Sequence, residues 1–312
     1  MNKNIICIFC AKESPATDEH VIPEFAGGSL VVKEVCKACN DKMGSDFEGP
    51  LANSIFFRLA RFRYGIQGKS ELPINPFPHD GLTENGQKIK MRGKGELYSV
   101  TKIEENLHDP EKIELKLIVD EIDKNRIPEI FESKLRRAAK KHWPDMSSSE
   151  IDTLVNKSLN ALPENFAVQT TQNPVIGYTE NFNLTHLNFL MLKIAYEIAF
   201  HHHGPKINSD SYYQQLRDAI YTRNASSEIV GTLFLEPDPF LSIPAPENSH
   251  CVLLFENSCY IRLFNISALI PIVNNDSPYT LLKEDWVIYW SDFIRKSSEK
   301  HNFLEYVSSH NI

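Results

Sequence analysis

The spacing of apolar residues divides the chain into stretches of different period. From Pro50, the apolar residues Leu51, Ile55, Leu59 and Phe62 recur at helical spacing. Pro50 suits a first turn and Gly65 a stop, so one helix is expected over 50–65. Between about 66 and 128 the helical period disappears. "ELPINPFPHDG" is broken by prolines, while "QKIKMRG", "GELYSVTKI" and "KIELKLIV" alternate as strands do. Helical spacing returns in "PEIFESKLRRAAKKHW" and in "SSSEIDTLVNKSL", which opens with the serine-then-glutamate pattern of a capped start. The strongest helical stretch is "NLTHLNFLMLKIAYEIAFHHHG", ended by Gly204-Pro205, and "DSYYQQLRDAIYTR" predicts another. From about 228 the pattern becomes that of strands: "EIVGTLFL", "HCVLLFEN", "CYIRLFN" and "ALIPIV", with a hairpin turn expected at Asn257-Ser258. The tail "DWVIYWSDFIRKSSEKHNFLEYV" fits strand and helix equally. No repeat or low-complexity linker interrupts the 312 residues.

The first fifty residues follow a different logic. They run CxxC, "DEHVIP", Gly27-Gly28, the strand-like "SLVVKEV" and then CxxCN, which predicts strand, glycine loop, strand and helix. The whole chain therefore reads as α+β: an N-terminal zinc-stabilised module, then a mixed helical and antiparallel-β region. Three segments are expected: 1–50 as that module, 51–128 as a connecting helix with a β-rich stretch, and 129–312 as an α+β domain of recognition or regulation.

Composition narrows the function classes. A hydrophobic fraction of 42% and a charged fraction of 24% suit a globular protein with a real core. No apolar run reaches the roughly 18–20 residues of a membrane span, so no membrane partner is expected. The opening "MNKNIICIFCAK" is too short in apolar residues for a secretory leader, and a cytoplasmic location is expected. A net charge of −8 argues against broad adhesion to polyanions. Charge is unevenly distributed, however. Residues 51–103 hold nine Lys/Arg against four Asp/Glu, a local net of +5, while residues 1–50 hold five against eight, a net of −3. Arg58, Arg61, Arg63 and Lys69 in "RLARFRYGIQGK" are the candidates for contact with a nucleic-acid backbone. "KLRRAAKKHW" reads equally as a solvated helix face.

Cys7, Cys10, Cys36 and Cys39 supply two CxxC pairs, whose spacing lets both sulfurs of a pair face one ion. Four thiolates fill the tetrahedral shell of Zn²⁺ and leave no open position, so this site is structural. The chemistry lies between and just after the pairs. A strand–loop–strand–helix path brings Glu19 and His20 to face Asn40 in the first turn of the helix. A carboxylate and an amide oxygen are hard ligands suited to Mg²⁺ or Mn²⁺. Histidine, with an ordinary pKa near 6.5, can take a proton from an attacking water at neutral pH. Activated water beside a cation is what phosphodiester hydrolysis requires. His201, His202 and His203 project about 100° apart on a helix, so they read as cationic groups at a helix C-terminus. Cys251 and Cys259 read as core thiols.

C-x2-C, E-H-V-I-P, G-G and C-x2-C-N together resemble the HNH endonucleases of the ββα-metal fold with a four-cysteine zinc site, a group that includes bacterial restriction and host-defence proteins. The resemblance covers about residues 7–48; more loosely, "RFRYGIQGK" and "LKIAYEIAF" look like segments that follow this nuclease in longer bacterial members. It implies that His20 is the general base, that Glu19 and Asn40 hold the catalytic metal, and that the four cysteines hold zinc. It also implies DNA as substrate, with a homodimer and a defence-system protein as candidate partners. Two departures matter. Val31 stands where the family places the asparagine that props the histidine, so a backbone carbonyl or another side chain must orient His20. Glu19 replaces the usual aspartate, which leaves Asp18 as the other candidate ligand. The competing readings are a non-catalytic zinc module in a nucleic-acid-binding regulator, and an HNH nuclease acting on RNA. Target sequence or modification, and nicking against double-strand cleavage, are not encoded in any motif.

Overall fold

The computed structural model describes residues 4–67, 75–77, 80–91, 96–109, 112–162, 175–225, 229, 231–234, 243 and 245–310. The chain forms two compact units, one made of 1–76 with 181–312 and the other of 77–180. This division differs from three consecutive segments: the N-terminal module and the C-terminal residues share one unit, and the middle of the chain is an insertion into it.

The chain opens with β1 (Asn4–Ile6), β2 (Glu13–His20) and β3 (Val31–Cys36), which form a three-stranded antiparallel sheet in that order. Helix α1 (Lys37–Met43) follows directly, then a π turn over Gly44–Glu48 and the short α2 (Gly49–Ala52). α3 (Ile55–Tyr64) ends at Gly65, whose φ of +66 supplies the left-handed cap. The single helix expected over 50–65 is thus two. Ser54 takes extended backbone and its Oγ donates to the Leu51 carbonyl at 2.7 Å, closing one helix where the next begins.

The inserted unit contains β4 (Gly81–Thr83), β5 (Lys88–Met91), β6 (Leu97–Ser99), the hairpin β7 (Lys102–Asp109) with β8 (Lys112–Ile118), α4 (Ile127–His142), α5 (Ser148–Asn160) and β9 (Ile176–Gly177). Its small sheet runs β6-β5-β4-β9. The start of α5 carries the expected capping box between Ser147 and Glu150. Leu135, Ala139, Ile151 and Val155 form a core between α4 and α5.

The first unit resumes with α6 (Leu184–His203) and α7 (Ser211–Thr222), capped by Asn183 and Asp210. It continues with β10 (Thr232–Phe234), β11 (Ser249–Phe255), β12 (Ser258–Leu263), β13 (Ile266–Pro271), β14 (Val287–Asp292), β15 (Ser297–Asn302) and α8 (Phe303–Ser309). The ambiguous tail is strand, strand and helix. The β11–β12 turn falls on Glu256-Asn257, one residue earlier than expected, with Glu256 at φ +49. The antiparallel sheet is ordered β10-β13-β12-β11-β14-β15. Its alternate residues serve two cores, which is why its strands read as nearly continuous apolar runs. Val252, Leu254, Ile261, Leu263, Ala268 and Ile270 join the large core around α6. Cys251, Leu253, Tyr260, Ile288 and Trp290 pack with Tyr306 of α8 on the other side.

α6 is buried on every side from Phe189 onward: residues 189–200 are all buried, Lys193 and Glu197 included. A helix apolar all round belongs in a core, and this one sits beneath the N-terminal module. Phe9, Val35, Met43, Phe47, Leu51 and Phe57 belong to the same continuous core.

Candidate functional site

The four cysteines come together as expected. The sulfurs of Cys7, Cys10, Cys36 and Cys39 lie within 4.8 Å of one another, the only such cluster of potential metal ligands among the described residues. Cys10 Sγ and Cys36 Sγ are 3.8 Å apart. Zn–S bonds of about 2.3 Å put sulfurs about 3.8 Å apart along a tetrahedral edge, so the residues fit the ion. The Cys36 amide donates to Cys7 Sγ at 3.4 Å. A hydrogen bond from Cys39 lowers the Cys7 thiol to about 4, while the same contact pushes Cys39 up.

β2 carries the candidate residues up to its end at His20. Its pairing with β3 shifts register between Thr17 and Glu19: Lys33 and Glu34 of β3 together stand opposite Asp18, a bulge in β3. His20 pairs with Val31 through the backbone. Its ring is half-buried and has no hydrogen-bond partner among the described residues. Asn40, in α1, turns its amide toward the strand, with Nδ2 donating to the Asp18 carbonyl at 3.2 Å and to Thr17 Oγ1 at 3.4 Å. Its Oδ1 has no hydrogen-bond partner among the described residues. Asp18 is exposed, with a side-chain exposure of 69%, and lies 3.5 Å from the Lys33 ammonium.

Glu19 is placed differently from a ligand waiting in solvent. It is 3% exposed, and its Oε1 closes on the ammonium of Lys193 from α6. Lys193 Nζ also lies 2.9 Å from Glu48 Oε1 and 3.5 Å from Glu197 Oε2, and it donates to the His20 carbonyl at 2.7 Å. Glu48 Oε1 makes no hydrogen bond among the described residues, so that contact is an ion pair. Burial pushes Glu19 up, with Lys193 pulling it back and Glu48 adding to the rise. Burial would lower Lys193, but Glu197, Glu48 and Glu19 outweigh it and hold the ammonium above the ordinary lysine range. Burial raises Glu197 well above a normal carboxyl, with the Lys193 ammonium pulling it back. Sequence reasoning missed Lys193, Glu48 and Glu197. The one available signal was a Lys–Glu pair four residues apart inside an otherwise apolar helix.

The loop between the strands, Pro23 to Gly28, is held tightly. A side chain on Gly28 would lie 1.7 Å from the Ile22 carbonyl, and one on Gly27 (φ +87) would meet Phe293 Cβ at 2.5 Å. Only glycine fits either place. His250 of β11, fully buried, lies 2.8 Å from the Ala26 carbonyl through Nε2, and its Nδ1 accepts from the Phe264 amide at 3.4 Å.

The basic candidates divide. Arg58 is half-buried and engaged internally, donating to the Asn75 carbonyl at 2.7 Å and to Asn53 Oδ1 at 3.3 Å. Arg61 is half-buried, and burial followed by the neighbouring Arg58 lowers it. Arg63 is exposed beside the Tyr64 ring. Lys69 lies outside the described residues. None of the three arginines has a carboxylate partner among the described residues. Burial lowers all three histidines at the end of α6, His202 to about 4, and so works against the cationic form expected at a helix end.

A zinc knuckle joined to two antiparallel strands and a helix, with histidine at the strand end and an amide facing it from the helix, defines a ββα-metal module. Residues 7–56 match the family model of the HNH endonucleases. No curated protein and no solved structure matches the chain. No helix among the described residues is long and apolar enough to cross a membrane.

Proposed function

We propose that the chain is a metal-dependent endonuclease that hydrolyses DNA phosphodiester bonds in the restriction or host-defence setting its motifs resemble. The observation that carries this reading is His20. It ends β2 with an unengaged ring, next to a buried carboxylate and across from the Asn40 amide. His20 takes the proton from the attacking water. Asn40 through Oδ1 and Glu19 through the oxygen not taken by Lys193 would hold Mg²⁺ or Mn²⁺. That ion, when bound, supplies charge stabilisation at the scissile phosphate and the leaving oxygen. Arg63, with Arg61 and Arg58 behind it, supplies positive potential along the backbone. One such site cuts one strand, so a double-strand break needs a second copy of the chain or a second visit. The inserted unit and the rest of the chain select the target.

The test is plasmid cleavage with Mg²⁺ or Mn²⁺. His20→Ala should lose at least about 100-fold in rate, within the typical contribution of a general base, with zinc content and thermal melting unchanged. Undiminished cleavage in that variant removes His20 from the mechanism. Wild-type protein that binds duplex DNA yet cuts neither DNA nor RNA under either metal would favour the regulator reading.

A further inference from the structure

An ammonium and a carboxylate inside a helix that is otherwise apolar on all sides are costly to bury, and such charges persist only where paired. Glu197, one turn away, would have sufficed as the counter-charge for Lys193. It is instead the most distant of the three carboxylates, at 3.5 Å. The short contacts go to adjacent residues of β2, the Glu19 carboxylate and the His20 carbonyl at 2.7 Å. Glu48, at 2.9 Å, ties in the turn that follows α1. Three residues along the same helix, Tyr196 donates from its hydroxyl to the Ile8 carbonyl at 2.7 Å, inside the first zinc knuckle. One face of α6 therefore grips both the knuckle and the strand end. Val31, where the related nucleases carry an asparagine prop, offers His20 only its backbone.

We propose that Lys193 is a positioning residue of the nuclease site. From outside the HNH segment it fixes the Glu19 carboxylate and the His20 peptide, and so sets where the metal ligand and the base stand. The inference rests on the assignment of His20 as base. It means that residues 7–56 do not make a complete site, because the second support of both residues lies in α6. Outer partners of metal ligands typically contribute about 10- to 100-fold in activity.

Two variants test this in the full chain. Lys193→Met/Glu197→Leu removes the ammonium together with its helix partner and keeps the core filled. Glu197→Gln keeps the ammonium and its contact with His20. The double variant should retain zinc and lose about 10- to 100-fold in kcat, with KM for DNA within about threefold of wild type. Glu197→Gln should stay within about threefold of wild type in both constants. In metal-free buffer, which separates positioning from chemistry, amide hydrogen exchange at His20 and Val21 should rise at least about tenfold in the double variant. Exchange in the zinc knuckle should not change. A folded, zinc-loaded double variant with wild-type kcat, or with unchanged exchange at His20, overturns the proposal. If wild-type protein cleaves nothing, the nuclease assignment fails, and the exchange result still decides whether Lys193 holds the strand end. Should the double variant not fold, the wild type serves. Its Lys193 ammonium should show a slowly exchanging ¹⁵N signal coupled through the hydrogen bond to the His20 carbonyl carbon, and absence of that coupling refutes the contact.

Discussion

His250 gives the N-terminal module a sharp acid sensitivity. Burial pushes its imidazolium down to about 4; the Ala26 carbonyl pulls the other way and Arg262 adds to the fall. The hydrogen bonds agree with a neutral ring, since Nδ1 can accept from the Phe264 amide only while it carries no proton, which leaves Nε2–H to donate to Ala26. The folded pKa lies below the unfolded value near 6.5, so the unfolded chain binds the proton first. Stability is therefore complete above pH 6.5 and falls as pH drops toward 4. Between pH 7.5 and pH 5 the loss is roughly 2 kcal/mol from this one group. The measurement is urea unfolding at both pH values for wild type and for His250→Gln, whose amide can still donate to Ala26. The variant should be less stable at pH 7.5, and its drop between the two pH values should be smaller than that of wild type by about 2 kcal/mol. His201, His202 and His203 contribute to both proteins equally and cancel in the difference. An identical pH drop in the two proteins would falsify the buried neutral state of His250.

Three further outcomes follow from the same geometry. Chelating zinc, or Cys36→Ser, should release the metal and expose residues 7–48 to trypsin, because structural zinc in small modules contributes about 10–16 kcal/mol of folding free energy; a metal-free protein that resists trypsin there refutes the site. Glu19→Gln should abolish metal-supported cleavage and destabilise by about 3–5 kcal/mol by leaving buried Lys193 short of a partner, while exposed Asp18→Asn should change either by little; the reverse pattern in cleavage gives the metal to Asp18. Tyr196→Phe should cost about 1–3 kcal/mol in denaturant unfolding, since the Ile8 carbonyl is left buried without its donor; no loss means that water replaces the hydroxyl.

What could be read from the chain without its fold was what local chemistry enforces. Two CxxC pairs can close on one ion only if their backbones turn sharply together, so four residues announced a site that the fold reproduces within ångströms. The expected cap behaves likewise: Ser147 accepts from Glu150 in the first turn of the helix it precedes. The bend at Ser54 was hidden because apolar spacing continues smoothly across it, while the break depends on one hydroxyl turning back to Leu51. The basic run at 58–63 looked uniform in charge. Burial sorts it, tying Arg58 to Asn75 and leaving Arg63 in solvent.

The larger gap concerns what supports the first fifty residues. Their composition invited the view that zinc substitutes for a core they are too short to build. The fold gives them a core all the same, since Phe47, Val35 and Phe57 are completely buried in the cluster that surrounds α6. That core is supplied from residues beyond 184, after an inserted unit of its own, and no local pattern can announce such a partnership. The polar pair inside α6 was its only trace. Lys193 and Glu197, one helical turn apart, become informative only with Glu19, Glu48 and the His20 carbonyl around the same ammonium. Zinc and α6 then divide the work. A zinc ion on the four cysteines would fix the knuckle to which α1 is joined, and Lys193 of α6 contacts the end of β2, so Asn40 and His20 would stand on separately anchored elements. Losing either anchor should cost activity through geometry before it removes any group that takes part in the chemistry.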